Sequence, residues 1–421
     1  MRERNIKEEN RAEIMRITEL SALEVAIPLK KKIRHASFTR DANRTLLVCC
    51  RLEDGTVGWG EGLPRPYVTG ETIDTAMQQF READLARQLS GRIDTWGEAI
   101  GRCSELTLPG PADDDRGCFG NTVRCAIELS VLDAIGQRLG EPLSRVTAHV
   151  PEAAGLRELR KTVQYSGVIT ATSPLKERVS AWKMRLYGFD QIKVKVGAAD
   201  QDDAATLGRI RRIVGAGRDL RIDANEAWRC DSLERKVTPL LPFGISSLEQ
   251  PVPHAEVGGL AAWRGRIGVP LMLDESLCSF RDGERAVEQG TCDLFNLRLS
   301  KCGGFAATLR LAALAQRAGL RCQMGCQVGE TGILSAAGRH FATSVAGLAY
   351  LEGSYDRHLV RERLTREDLT FQYGGTAPAL ERAGLGITID ESAVERVLVR
   401  REVVPFRQAG QPPASSEAAA Y

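Results

Sequence analysis

Ionisable residues return along this chain with a nearly constant period, and that period limits what the chain can fold into. Lys193 and Lys195 stand in QIKVKVG, followed by Asp223 in RIDANEAW, Glu249 in SLEQPV, Asp274 in LMLDES and Lys301 in LSKCGG. Counted from Lys195, the gaps are 28, 26, 25 and 27 residues. Each of these residues closes a short apolar run, the pattern of a parallel strand buried on both faces. A strand, a helix and two loops take up about that much chain, so the spacing predicts a repeated βα unit that closes into a barrel. The C-terminal strand ends of such a barrel converge on one mouth, where catalytic groups collect. Three carboxylates and three lysines would then share one small volume.

The other segments fit around this ladder. Candidate strands are TVQYSGVI, QIKVKV, DLRIDA, ISSLEQ, LMLDE, DLFNLRLS, RCQMGCQV and LAYLEG, separated by helical patterns such as AATLGRIRRIVGAG that close on glycine. Eight strands predict an α/β fold of the TIM-barrel type over residues 156–358. Residues 15–155 read as an α+β domain. It has two long strand segments, a turn at Asp54-Gly55, polar loops at KKIRHASFTRDAN and GLPRPYVTGET, and a helix over 121–140 that stops at Gly140. Residues 359–407 leave the barrel and return as loops and a strand, while 1–14 and 408–421 have the composition of disordered ends.

The ladder's chemistry is specific. A single strand-end acid is most often a helix cap or a surface ion-pair partner, but three in phase with the lysines are hard to obtain by chance. Asp223, Glu249 and Asp274 in one mouth would repel one another without a cation. An all-oxygen donor set with no His or Cys beside it favours Mg²⁺, with Mn²⁺ as the alternative. Lys193 and Lys195 are two residues apart on one strand and share its inner face. Crowding beside a second lysine and a metal ion is expected to lower a lysine pKa, giving an amine that works as a general base. Lys301, four units further on, faces Lys195 across the barrel. Together the parts describe proton abstraction next to a carboxylate, with the cation stabilising an enediolate.

Composition excludes other classes. A net charge of +2 gives no electrostatic commitment to nucleic acid or anionic membrane. The chain shows no apolar stretch of the roughly 20 residues a membrane helix needs. Eleven irregularly spaced cysteines suit buried thiols in a reducing compartment. A cytoplasmic protein with a small-molecule carboxylate substrate is the expectation.

These motifs resemble the enolase superfamily in its muconate-lactonising branch, whose signature is K-x-K, then Asp, Glu and Asp on successive strands, then a second lysine. GWGEGLPRPYVTGET, GETGILSAA and APALERAGLGITID also resemble family segments. The resemblance implies a modified TIM barrel, (β/α)₇β, with the N-terminal α+β capping domain completed by the C-terminal segment. It implies Lys195 and Lys301 as the acid/base pair, Lys193 as a tuning neighbour, and Asp223, Glu249 and Asp274 as Mg²⁺ ligands. Asn225 and Glu330 fall near the expected substrate, as does Arg34 in the first capping loop. Dipeptide epimerases of this branch carry Asp-x-Asp at the eighth strand end, where this chain has LEGSYD; Glu352 is the residue that could replace one acid. The implied activity is a racemase or epimerase of a dipeptide or N-acylamino acid. A muconate-type cycloisomerase or succinylbenzoate synthase-like dehydratase is the alternative, and an inactive metal-binding homologue the second. The resemblance also allows a homo-oligomer.

Overall fold

A computed structural model of the chain describes residues 15–34, 39–170 and 173–406. The disorder expected for 1–14 and 408–421 falls outside these residues. Three strands open the chain: β1 (Ile17–Arg34), β2 (Thr39–Leu52) and β3 (Val57–Gly62). The strands β4 (Thr162–Gln164), β5 (Gly167–Ile169), β6 (Gln191–Lys195), β7 (Asp219–Asp223) and β8 (Ile245–Glu249) follow. Then come β9 (Leu271–Leu273), β10 (Leu294–Leu297), β11 (Arg321–Met324), β12 (Leu348–Leu351), β13 (Thr376–Pro378) and β14 (Leu398–Pro405).

β5 to β12 pair in sequence order as one parallel sheet of eight strands. The sheet curls until its ends meet, where the Ser166 N–H donates to the Leu351 carbonyl at 2.8 Å. The run read as one strand, TVQYSGVI, is split. β4 pairs antiparallel with β13, and only β5 enters the barrel. Crossover helices Pro174–Leu186, Asp203–Val214, Phe280–Gln289, Phe305–Arg317 and Gly332–Ser344 carry most of the outer layer. The β8–β9 connection has only the 3₁₀ segment His254–Ala262, whose adjacent Gly258 and Gly259 disfavour an α-helix.

The cap is an antiparallel sheet in the order β14-β1-β2-β3. The polar segment expected to be a loop is strand on either side of 35–38, which lie outside the described residues, with Ile33 opposite Arg40 and Arg34 opposite Thr39. Backbone pairing satisfies its main-chain groups whatever the side chains are, so polarity alone misread it. On β3, Gly58, Gly60 and Gly62 form one face against the helix Asn121–Leu139. A Cβ at Gly60 would lie 2.0 Å from the Ala126 carbonyl oxygen, so GWGEG is a close-approach motif.

Buried glutamates tie cap and barrel together at helix N-termini, where free N–H groups point at the carboxylates. Glu61, between those glycines, accepts from the Thr331 N–H at 3.0 Å and from the Leu334 N–H at 3.1 Å, at the start of helix Gly332–Ser344. Glu128 accepts from the N–H groups of Phe305 and Ala306 at the start of helix Phe305–Arg317. Glu71 does the same for the capping helix, accepting from Gly120 and Thr122.

Candidate active site

The period places its residues where parallel pairing requires. Lys195 lies opposite Asp223, and Asp223 opposite Glu249, at the C-terminal ends of β6, β7 and β8. Asp274 stands one residue beyond β9. All three carboxylates are fully buried. Lys301 departs from the expectation that it ends a strand: it lies in the short helix Leu299–Cys302, four residues past β10, and reaches back into the mouth. The Gly303 and Gly304 that follow both have positive φ, which lets the chain turn directly from this helix into the next.

The acidic row is flanked by one lysine at each end. Lys195 Nζ donates to Asp223 Oδ2 at 2.8 Å and also bonds Asn225 Oδ1. Lys301 Nζ is 3.1 Å from Asp274 Oδ1 and donates to the carbonyls of Asp274 at 2.6 Å and Leu277 at 2.7 Å. Between these flanks, cationic side chains bridge neighbouring acids. Lys193 Nζ is 3.3 Å from both Asp223 and Glu249. Arg298 bonds Asp274 and lies 3.8 Å from Glu249.

Burial and repulsion divide the acids into two groups. Burial opposes the charge of Asp223, but Lys195 and Lys193 outweigh it and hold this carboxyl well below its usual range. Glu249 is pushed up to about 7 by burial and by Asp223. Glu275, the next acid after Asp274, rises to about 8 through burial and the charges of Asp274 and Asp223. The lowered lysine pKa expected from crowding is not what the geometry gives. Burial lowers Lys193, yet Glu249, Glu352 and Asp223 together raise it well above the ordinary value. Asp274 likewise outweighs burial at Lys301. The reason is that each of these amines has a carboxylate within 3.3 Å.

The remaining candidates divide. Asn225, at φ +43°, joins Lys195 to Glu275, whose Oε1 accepts from its Nδ2 at 3.1 Å. Glu330 accepts from the Gln327 N–H at 2.6 Å, and burial pushes it up to about 8. Glu352 is buried among cations, with Lys193 Nζ at 2.9 Å and Arg221 Nη2 at 2.6 Å. Burial alone would raise its pKa, but these two cations bring it down to about 2. Its carboxylate is committed to the barrel interior rather than offered to an incoming ammonium group. Arg34 ends β1, and its side chain lies outside the described residues.

Sequence reading missed Arg221, Asn296 and Arg298. Arg221 is fully buried, pairs with Glu352 and lies over the Tyr350 ring at 4.4 Å. Asn296 Nδ2 donates to Glu249 Oε1 at 2.9 Å. Strand parity carried the signal: Lys193 and Arg221 stand two residues before Lys195 and Asp223, on the same inner face.

Among the described residues, no three His, Cys, Asp or Glu side chains converge as placed on one ion-sized point. The chemistry of the donor set nevertheless fits a divalent cation. The acids are hard oxygen donors on adjacent strand ends, and the pKa values of Glu249 and the neighbouring Glu275 are raised by burial and by the charges of Asp223 and Asp274. Glu275 Oε2 is buried and accepts no hydrogen bond, and the buried Asp274 Oδ1 has only the Lys301 ammonium beside it, at 3.1 Å.

A family profile described as enolase C-terminal domain-like matches residues 175–393, just over half of the chain. The chain belongs to this family. Within it, the hydrophobic dipeptide epimerase of Enterococcus faecalis is 27% identical over 391 residues, covering 89% of this chain and all of that protein. The N-succinyl-L-Arg/Lys racemase of Bacillus cereus is 25% identical, covering 93% of this chain and all of its own. A solved dipeptide epimerase from Cytophaga hutchinsonii, complexed with Mg and D-Ala-L-Val, superposes with a TM-score of 0.79 at 25% identity, over 92% of this chain and 100% of that one. Among the described residues of this family member, no helix is long and apolar enough to cross a membrane.

Proposed function

We propose that this chain is a Mg²⁺-dependent isomerase that removes and returns the proton α to a substrate carboxylate, racemising or epimerising an N-acylamino acid or dipeptide. The observation that carries the reading is the buried row Asp223–Glu249–Asp274 with Lys195 at one end and Lys301 at the other. Asp223, Glu249 and Asp274 are the residues that would hold the ion. When bound, Mg²⁺ would supply positive charge to stabilise what develops on the substrate carboxylate.

The chain's own groups do the rest. Lys195 and Lys301 approach the α-carbon from opposite faces, so one accepts the proton while the other delivers one. Asp223 ion-pairs with Lys195, and Asp274 beside Lys301 raises the proton affinity of that amine. Lys193, held by Glu352 and Glu249, fixes the floor of the site and orients the acids above it. Burial of the whole row excludes water from the reacting carbon and strengthens each of these electrostatic contacts.

The test is incubation in D₂O with Mg²⁺ and a panel of N-acetyl and N-succinyl amino acids and dipeptides, read by mass spectrometry and NMR. Racemisation labels the α-carbon of both stereoisomers. Loss of water or closure of a lactone, without α-labelling, would sink the reading.

A further inference from the structure

The first crossover helix of the barrel, Pro174–Leu186, carries its apolar stripe on the outside. Crossover helices ordinarily turn that stripe inward. Here the residues packed inward include Glu177 and Ala181, with Glu177 accepting from Arg209 Nε at 2.7 Å. Outward stand Leu175 (72% exposed), Val179 (46%), Trp182 (48%) and Leu186 (71%). Tyr187 and Tyr373, both exposed, extend the strip at the helix's C-terminal end; a Cβ on the intervening Gly188 would lie 2.6 Å from the Tyr373 ring.

The spacing of the four apolar residues is four, three, four, the seam of two helices wound about each other. With Val179 and Leu186 at a positions and Leu175 and Trp182 at d, the e positions are Lys176 and Lys183. The g positions are Arg178 and Arg185. All four cations are exposed. Arg185 also lies over the Trp182 ring at 5.4 Å and donates to the Ile213 carbonyl at 2.6 Å, which holds that rail in place. The helix has one acid, Glu177, and it is turned inward.

We propose that this face docks an acidic amphipathic helix of another protein. Residues at e and g choose partners by charge. A two-fold contact with a second copy would set Lys and Arg against Lys and Arg. A helix with Glu at the matching positions instead pairs with all four while burying Trp182 and the three aliphatic side chains. The receiving helix is already held by the barrel, so only the partner is ordered on binding. Some 13 residues at 1.5 Å each give a contact about 20 Å long, the scale of a transient complex.

The test uses the full chain and two labelled synthetic peptides of about four heptads, both with Leu at a and d. One carries Glu at e and g, the other Lys. The Glu peptide is expected to bind and shift Trp182 emission, with affinity falling about 10-fold or more between low and high salt, and the Lys peptide not to bind. The quadruple variant Lys176→Glu/Arg178→Glu/Lys183→Glu/Arg185→Glu should reverse that preference, and Leu175→Ser/Leu186→Ser should abolish binding with an unchanged melting temperature. Several results overturn the proposal: neither peptide binding, both binding alike, or Glu-peptide binding that survives Leu175→Ser/Leu186→Ser. So does a dimer that the same variant dissolves, or capture through this face of vesicles rich in anionic lipid without binding of the Glu peptide.

Discussion

The carboxamide of Asn121, first residue of the capping helix, donates to the main-chain carbonyl of Lys301 at 2.8 Å and to that of Cys278 at 2.6 Å. The cap therefore holds the turn that carries one of the two proposed bases. Asn121→Ala leaves two buried carbonyls without their donor, at a cost of about 2–4 kcal/mol. A lowered melting temperature is expected, with kcat reduced more than KM is changed. Wild-type values of both in the purified variant would mean that this link does not position Lys301.

Lys195→Ala and Lys301→Ala should each slow interconversion of stereoisomers by roughly 10³-fold, the scale of a lost general acid or base. Each variant should still exchange the α-proton of one enantiomer in D₂O, and the two should differ in which. Full activity in both would show that these amines are not the acid/base pair.

Chelation should abolish exchange, and added Mg²⁺ should raise the melting temperature of the wild-type chain. Glu249→Gln removes one proposed ligand and should lose that thermal shift. Glu249 has a pKa raised to about 7, so protons compete with the ion. The Mg²⁺-dependent shift is expected to weaken as pH falls below about 7, which a series of melting curves at fixed Mg²⁺ would show.

Glu352 contributes to stability in a defined pH window. Its folded pKa, about 2, lies below the usual glutamate value. Its ion pairs with Lys193 and Arg221 therefore stabilise the fold above about pH 4.3 and are lost as pH falls towards about 2. Glu352→Gln leaves two buried cations with less countercharge and should destabilise by about 3–5 kcal/mol at pH 7. Acid-unfolding curves of the variant should be flatter across that window. Parallel curves for variant and wild type would place the acid sensitivity elsewhere.

Because both cations on Glu352 are internal, this position offers no free charge to a substrate ammonium group. N-acetyl or N-succinyl amino acids are expected to exceed unblocked dipeptides in kcat/KM. Turnover favouring unblocked dipeptides by 10-fold or more would require another acid to receive the ammonium, and would contradict a purely internal role for Glu352.

Strand phase was legible because a parallel strand buried on both faces reads as a short, largely apolar run; seven of the eight came out near their observed places, and TVQYSGVI divided into β4 and β5. Distances between charges were not legible. Lys193 and Lys195 look alike in the sequence, yet one is buried among three acids and the other is a third exposed. Lys301 continues the period by count but does so from a helix, since a four-residue turn and a strand end consume similar lengths of chain. Arg298 was hidden because a lone arginine beside a strand ordinarily faces solvent. The paired ribbon at Arg34 was hidden because cross-strand hydrogen bonds leave no mark on side-chain polarity.

The order of the cap sheet, β14-β1-β2-β3, has a consequence for how the protein is made. Glu19 to Val25 of β1 pair with Leu398 to Pro405, which are translated hundreds of residues later. Arg400 also reaches the fully buried Glu24 at 2.5 Å from that late strand, joining Arg44 of β2 on the same carboxylate. Until Leu398 to Pro405 have been made, one side of β1 is a bare strand edge whose glutamate lacks the second of its two arginines. Vectorial folding of this chain can thus finish its barrel before its cap, and an early-stalled nascent chain would present that edge to chaperones or to other copies.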